Sequence, residues 1–292
     1  MSEQADTGHM EQWTLVIGKS KSLFELHLKE LYRYKDLILL FVKRDFISIY
    51  KQTILGPLWI LLQPLLTSIT LTVVFGYIAG IQTGAPTILF MLAGVTIWGY
   101  FSDCIMKTSE TFIANQNLFG KVYFPRLIVP LSIIITNFLK FLIQFLLFVV
   151  IYVIYVIWVD PNSGVVISWQ LILLPIVILI MALLGLGFGL IISSLTTKYR
   201  DLRFLIQFGI QLAMYASPIV YPLKSVPEKY KWLLVSNPVT SAIETFKTGF
   251  FGEEFAVFNW FHILYSLTFS CITLFIGLLL FTRIERSFMD TI

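Results

Sequence analysis

Lys140 stands inside the apolar run Leu127 to Trp158, with Asn137 and Gln144 within about 60° of it on a helical projection. An ammonium deep in a hydrocarbon layer is costly, so such a group by default marks a functional site. The structural alternative is that the lysine snorkels or hydrogen-bonds within a helix bundle, and the sequence leaves the two readings level. Asp103 and Lys107, four residues apart, read as an ion pair on one helix face. Two further sets recur at helical spacing. Gln52, Trp59, Gln63, Thr70 and Tyr77 fall within about 40° of one another, and Gln207, Gln211, Met214, Tyr215 and Pro218 share a second face. Pro57 and Pro64 blur the register of the first. Glutamine and threonine act as hydrogen-bonding glue between apolar helices. Faces that also carry Trp and Tyr suit a carbohydrate path, because sugars present CH faces that stack on rings and hydroxyls that match amides.

None of these sets is arranged for bond-making chemistry. No GxxxxGK[ST] loop occurs: Gly120-Lys121 would need a glycine where Asn115 stands, and Gly18-Lys19 one where Trp13 stands. HExxH, GxSxG and paired carboxylates within an apolar run are missing as well. Cys104 and Cys271 lie in apolar runs without metal-ligand spacing and read as small packing residues. If this chain moves something uphill, another chain supplies the energy.

Six long apolar stretches must position these residues: roughly Thr53 to Ile78, Pro86 to Met106, Leu127 to Trp158, Gln170 to Leu195, Phe204 to Tyr221 and Phe258 to Thr282. Their lengths match the run of about 20 residues that crosses a hydrocarbon core of about 30 Å as a helix. They lack the alternation of a membrane β-strand, and lipid offers no partner to unpaired backbone groups. A composition 57% hydrophobic and only 13% charged over 292 residues fits one all-α membrane domain, residues 53–282. On the alternating topology, sixteen Lys and Arg fall on the side of the termini and four (Lys224, Lys229, Lys231 and Lys247) on the other. Both termini are therefore expected in the cytoplasm. The basic residues hug the span ends, so the net charge of +4 is topological and no nucleic-acid partner is expected.

Outside the spans, residues 1–21 read as a flexible N-terminus, too polar for a secretory signal. Residues 22–52 mix apolar runs with Lys29, Arg33, Lys35, Lys43 and Arg44, as an interfacial helix facing anionic lipid does. Within the short loop 108–126, Thr108 or Ser109 can cap a helix that carries Phe112, Ile113, Leu118 and Phe119 and stops at Gly120. That helix, with aromatics expected on its surface, is either a docking element or a loop helix packed on the bilayer. Beyond the fifth stretch, residues 222–257 hold Lys231 to Val235, Asn237-Pro238 and Thr240 to Phe251, which read as outer re-entrant helices. Residues 283–292 form a cytoplasmic tail.

Several segments resemble the membrane subunits of type-2 ABC exporters for polysaccharides, the group serving O-antigen, capsule and teichoic acid. They are Tyr34-Lys-Asp-Leu with Lys43-Arg-Asp, Tyr50-Lys-Gln-Thr-Ile-Leu-Gly-Pro-Leu-Trp, Gln63-Pro, Asn115 to Asn117, Lys121-Val-Tyr-Phe-Pro-Arg126, Lys198-Tyr-Arg-Asp201, Ser217-Pro-Ile-Val-Tyr-Pro222 and Asn237-Pro, in family order from about residue 12 to 255. Where the family often has an Arg, Lys35 keeps the charge and gives up bidentate pairing. The resemblance implies a homodimer of six-helix subunits in the bacterial inner membrane, bound to two copies of a separate ATPase that carries ATP and Mg. It implies export of a lipid-linked glycan and no cofactor in this chain. It also implies that Asn115, Gln116, Asn117, Leu118, Phe119 and Gly120 form the coupling helix, with Tyr199, Arg200 and Asp201 at the same face. Trp59, Gln63, Thr70, Tyr77, Lys140, Gln207, Gln211 and Tyr215 are the candidate conduit. The rivals are a permease of the same fold for another amphipathic substrate, and an intramembrane glycan transferase, which needs the acidic pairs or metal site that the sequence lacks.

Overall fold

Helices make up most of the described chain, which in this computed structural model comprises residues 32–51, 55–122, 124–160, 164–197, 199 and 201–288, with no strand among them. Gln52, Arg200, residues 1–21 of the N-terminus and residues 22–31 of the expected interfacial helix lie outside these residues. Helix α1, Lys35–Lys51, lies along the base of the third long helix and buries Phe41 and Val42. Helix α2 covers Leu58–Ile78 and α3 covers Thr87–Ser109. Two single turns follow, α4 at Thr111–Ala114 and α5 at Gln116–Phe119. Helix α6 spans Ile128–Val159 and α7 spans Trp169–Thr196. Then come α8, Leu202–Tyr215, α9, Glu228–Val235, α10, Pro238–Phe251, and α11, Trp260–Phe288.

Five of these, α2, α3, α6, α7 and the Trp260–Glu285 stretch of α11, are long and apolar enough to cross a membrane. The stretch expected as a span at 204–221 is instead a helix of 14 residues, about 21 Å long. It ends at Tyr215 because Pro218 lacks an N–H and disfavours helical geometry at Ser217.

Helix α3 is the axis of the bundle, with α2, α6, α7, α8 and α10 packed around it. Glycines on α7 set how closely its neighbours approach. A Cβ on Gly185 would fall 2.5 Å from the Cβ of Cys104, and one on Gly189 2.5 Å from the Cβ of Thr108. On the other side of α7, a Cβ on Gly187 would sit 2.7 Å from the Leu274 nitrogen of α11. Small residues are how apolar helices gain packing where lipid supplies no hydrophobic drive. Helix α10 is buried at every residue. Asn237 caps it, its Oδ1 accepting from the Val239 N–H at 3.1 Å, and Pro238 fills the first turn.

The base of the bundle is aromatic. Phe112 stacks on Phe281 with ring centroids 4.7 Å apart, Phe112 meets Phe119 at 6.0 Å, and Phe124 meets both Phe119 and Phe41 at 5.8 Å. This corrects the expected surface position of the loop aromatics: Phe119 is 6% exposed and Phe112 is buried with it. The expected capping by Thr108 or Ser109 also fails, since both residues still belong to α3 and Glu110 precedes α4 without a side-chain cap.

Candidate functional site

The charged groups within the long helices meet across helices. Lys140 Nζ lies 2.6 Å from Asp103 Oδ2, joining α6 to α3. Lys107 Nζ donates instead to Asn137 Oδ1 at 2.9 Å, so the expected Asp103–Lys107 pair is replaced by two cross-helix contacts. An i,i+4 pair stays on one helix, whereas these contacts also satisfy groups on a second, and an apolar setting favours that arrangement.

Gln144 answers a local defect. Pro64 lies inside α2 and leaves the carbonyl of Ile60, four residues earlier, without its helical donor. Gln144 Nε2 of α6 donates to that oxygen at 3.1 Å, with both residues buried. The Gln63-Pro64 pair therefore needs an amide from another helix, a requirement that the sequence contains but does not place.

The first polar stripe faces outward. Trp59, Gln63, Thr70 and Tyr77 are all exposed, Tyr77 at 81%, while Ile60, Pro64, Ser68 and Leu71 occupy the buried face of α2. Leu66 and Val73 share the exposed face. The last turns of α2, Thr72–Ile78, are wide, with the Ala79 N–H reaching back to the Val74 carbonyl at 2.9 Å. On α8, Gln207, Gln211 and Tyr215 are exposed and no residue of the helix is buried. The two helices meet where the Phe75 and Tyr215 rings lie 6.2 Å apart. Lys140 stands apart from both stripes, turned to Asp103.

The loop after α3 divides its residues by direction. Gln116, Asn117, Gly120, Lys121 and Val122 are exposed, Asn115 and Leu118 are half-buried, and Phe119 is buried. Asn115 Nδ2 donates to the Thr111 carbonyl at 3.0 Å. Three contacts brace the loop. Glu110 Oε1 pairs with Arg203 Nε at 2.6 Å, Thr196 Oγ1 donates to the Ser109 carbonyl at 3.0 Å, and Arg126 Nη1 donates to the Glu285 carbonyl at 3.1 Å. Burial pulls the Arg126 guanidinium below its ordinary pKa, and the Glu285 carboxylate opposes that shift. Tyr199 and Asp201 are exposed near the start of α8.

A family model described as ABC-2 type transporter matches residues 36–251, from the first turn of α1 to the end of α10. The chain belongs to the ABC-2 type transporter family. It is 29% identical over 259 residues to the O-antigen export system permease protein RfbA of Klebsiella pneumoniae, covering 87% of this chain and 94% of that protein. RfbA of Myxococcus xanthus is 26% identical over 230 residues, 78% of this chain and 85% of that protein. The polysialic acid transport protein KpsM of Escherichia coli is 26% identical over 250 residues, 81% of this chain and 89% of that protein. Family and apolar helices together make this ABC-2 chain a multi-pass membrane protein.

Sequence reasoning passed over two residues of the ABC-2 chain's α10. Glu244 and Lys247 are buried one turn apart, so Lys247, counted among the outer topological charges, is an interior group. The signal was an acid and a base three residues apart in an otherwise uncharged apolar segment. Of the two cysteines, Cys104 packs inside as expected, whereas Cys271 is exposed.

Proposed function

We propose that this chain is the membrane subunit of an ATP-driven exporter that moves a lipid-linked polysaccharide of the O-antigen or capsule type out of the cytoplasm. The observation that carries this reading is the family match together with relatives named for O-antigen and polysialic acid export, aligned over most of both chains. In this reading both termini and the 110–127 loop lie in the cytoplasm, in the inner membrane of a bacterium. Helix α8 with its Ser217–Ile219 extension is the sixth crossing, and α9 and α10 are the outer re-entrant helices. Two copies of the chain face each other across the exposed faces of α2 and α8, and two copies of a separate ATPase supply the energy, with ATP and Mg bound there.

The geometry supports this assignment. Trp59, Gln63, Thr70 and Tyr77 on α2, with Gln207, Gln211 and Tyr215 on α8, lie on helices that touch at Phe75 and Tyr215. Left against lipid, glutamine amides lack partners; against a second copy or a glycan they gain them. Gln116, Asn117, Gly120 and Lys121 form the surface offered to the ATPase, with Tyr199 and Asp201 nearby. The test is to reconstitute the chain with and without its ATPase in vesicles containing lipid-linked glycan. ATP-dependent appearance of glycan across the membrane only with both chains present is the expected result, and glycan movement by this chain alone would refute the assignment.

A further inference from the structure

Where α8 ends, the turn through Ser217, Pro218 and Ile219 holds carbonyls outside any helical ladder. Those of Pro218 and Ile219 accept from Lys247 Nζ at 2.6 and 3.1 Å. Lys247 is 0% exposed, and its ammonium stands 3.3 Å from the centroid of the Phe90 ring of α3. Glu244, one turn earlier and also buried, supplies the opposite charge and accepts from the Val257 N–H at 2.8 Å, ahead of α11. Asn237 adds a second tie, its Nδ2 donating to Ser217 Oγ at 3.0 Å. From the α3 side, Ile219 sits so close to Gly94 that a Cβ there would fall 2.9 Å from its Cγ2 and 3.2 Å from its Cα. A lysine ammonium at the negative end of a helix dipole is favourable in itself.

Helix α8 differs sharply from this clamped turn. It has no buried residue, and an apolar cavity of about 410 Å³ lies behind it, lined among others by Trp98, Phe101, Phe188, Ile192, Ile206 and Ile210. Its other end is tied to the 110–127 loop by the Arg203–Glu110 pair.

We propose that Lys247 is the positioning residue of α8: it holds the Ser217–Ile219 turn as a fixed pivot. A pull on the loop, passed through Glu110 and Arg203, then swings α8 over the cavity instead of sliding it lengthwise. The use of that swing in transport rests on the exporter reading, whereas the pivot does not.

The test uses the full chain in membrane vesicles, with Cys271→Ser removing the exposed thiol and Ile219→Cys placing a reporter at the pivot. Cys104, fully buried between α3 and α7, reports on the rest of the fold. Lys247→Met is expected to speed modification of the position-219 thiol by a water-soluble maleimide about tenfold or more, with Cys104 still protected. Continued protection at 219 would overturn the proposal. If both thiols react, the variant has loosened generally and Asn237→Ala decides. A rise of about threefold at 219 with Cys104 protected supports the pivot, and no rise overturns it. With the ATPase assembled, Lys247→Met should keep hydrolysing ATP while export falls about tenfold, whereas equal loss of both would mark a purely structural residue. The labelling needs neither ATPase nor glycan, so its failure removes the pivot and leaves the exporter reading standing; a parental complex that exports nothing does the reverse.

Discussion

Lys140 of α6 and Asp103 of α3 are ion-paired at 2.6 Å, with about a third or less of each side chain exposed. That pairing places the mid-helix lysine in the scaffold, away from the polar faces of α2 and α8. Removing one partner of a buried pair leaves an uncompensated charge, which is worse than removing both. Lys140→Met is therefore expected to lower stability by roughly 1–3 kcal/mol after allowance for partial exposure, and Asp103→Asn to behave alike. The double variant should recover at least half of either loss in thermal unfolding of the purified chain. Additive losses would show that the two residues act independently.

Pro64 and Gln144 make a sharper pair. Gln144→Leu strands the Ile60 carbonyl and should cost about 1–3 kcal/mol, the penalty for a buried unsatisfied acceptor. Pro64→Ala restores the helical donor at its source. In that background Gln144→Leu should cost markedly less, as a double-mutant cycle on melting temperature would reveal. If the cost is the same with and without Pro64, Gln144 serves something other than the proline gap.

The two sides of the 110–127 loop should separate stability from partner binding. Phe119→Ala opens a hole in the aromatic base and is expected to cost roughly 3–5 kcal/mol, with less folded chain in the membrane. Gln116→Ala, Asn117→Ala and Lys121→Glu touch exposed positions, so stability should change by less than about 0.5 kcal/mol. Under the proposed function these three weaken capture of the ATPase in a pull-down. Parental capture by all three would move the docking surface elsewhere.

Under the proposed function, cysteines at Trp59, Gln63, Tyr77, Gln211 and Tyr215 should react with a water-soluble thiol reagent when the chain is assembled with its ATPase, with rates that change when ATP is added. Leu61 and Leu65, half-buried on α2, are the comparison positions. Uniform rates across both groups in every nucleotide state would assign the stripes to subunit packing.

Much of this architecture follows from composition and spacing alone. Long apolar runs force backbone groups to pair within helices, so five helices long enough to cross a membrane and helical segments over Lys231 to Val235 and Thr240 to Phe251 are readable from residue type, whereas the sixth run, 204–221, gives a shorter helix than its length suggests. The family, too, is legible in motifs such as Gln63-Pro64, Ser217-Pro218 and Asn237-Pro238, because prolines and caps act on their immediate neighbours. The sequence could not say which partner each polar group would find. Asp103 had Lys107 within reach on its own helix and pairs with Lys140 on another; Gln144 fills the gap left by Pro64; Phe119 turns into the aromatic base; Lys247 holds a turn 28 residues away. Local sequence sets what each group needs, whereas the choice among competing partners depends on which helices pack together, and only the tertiary fold decides that.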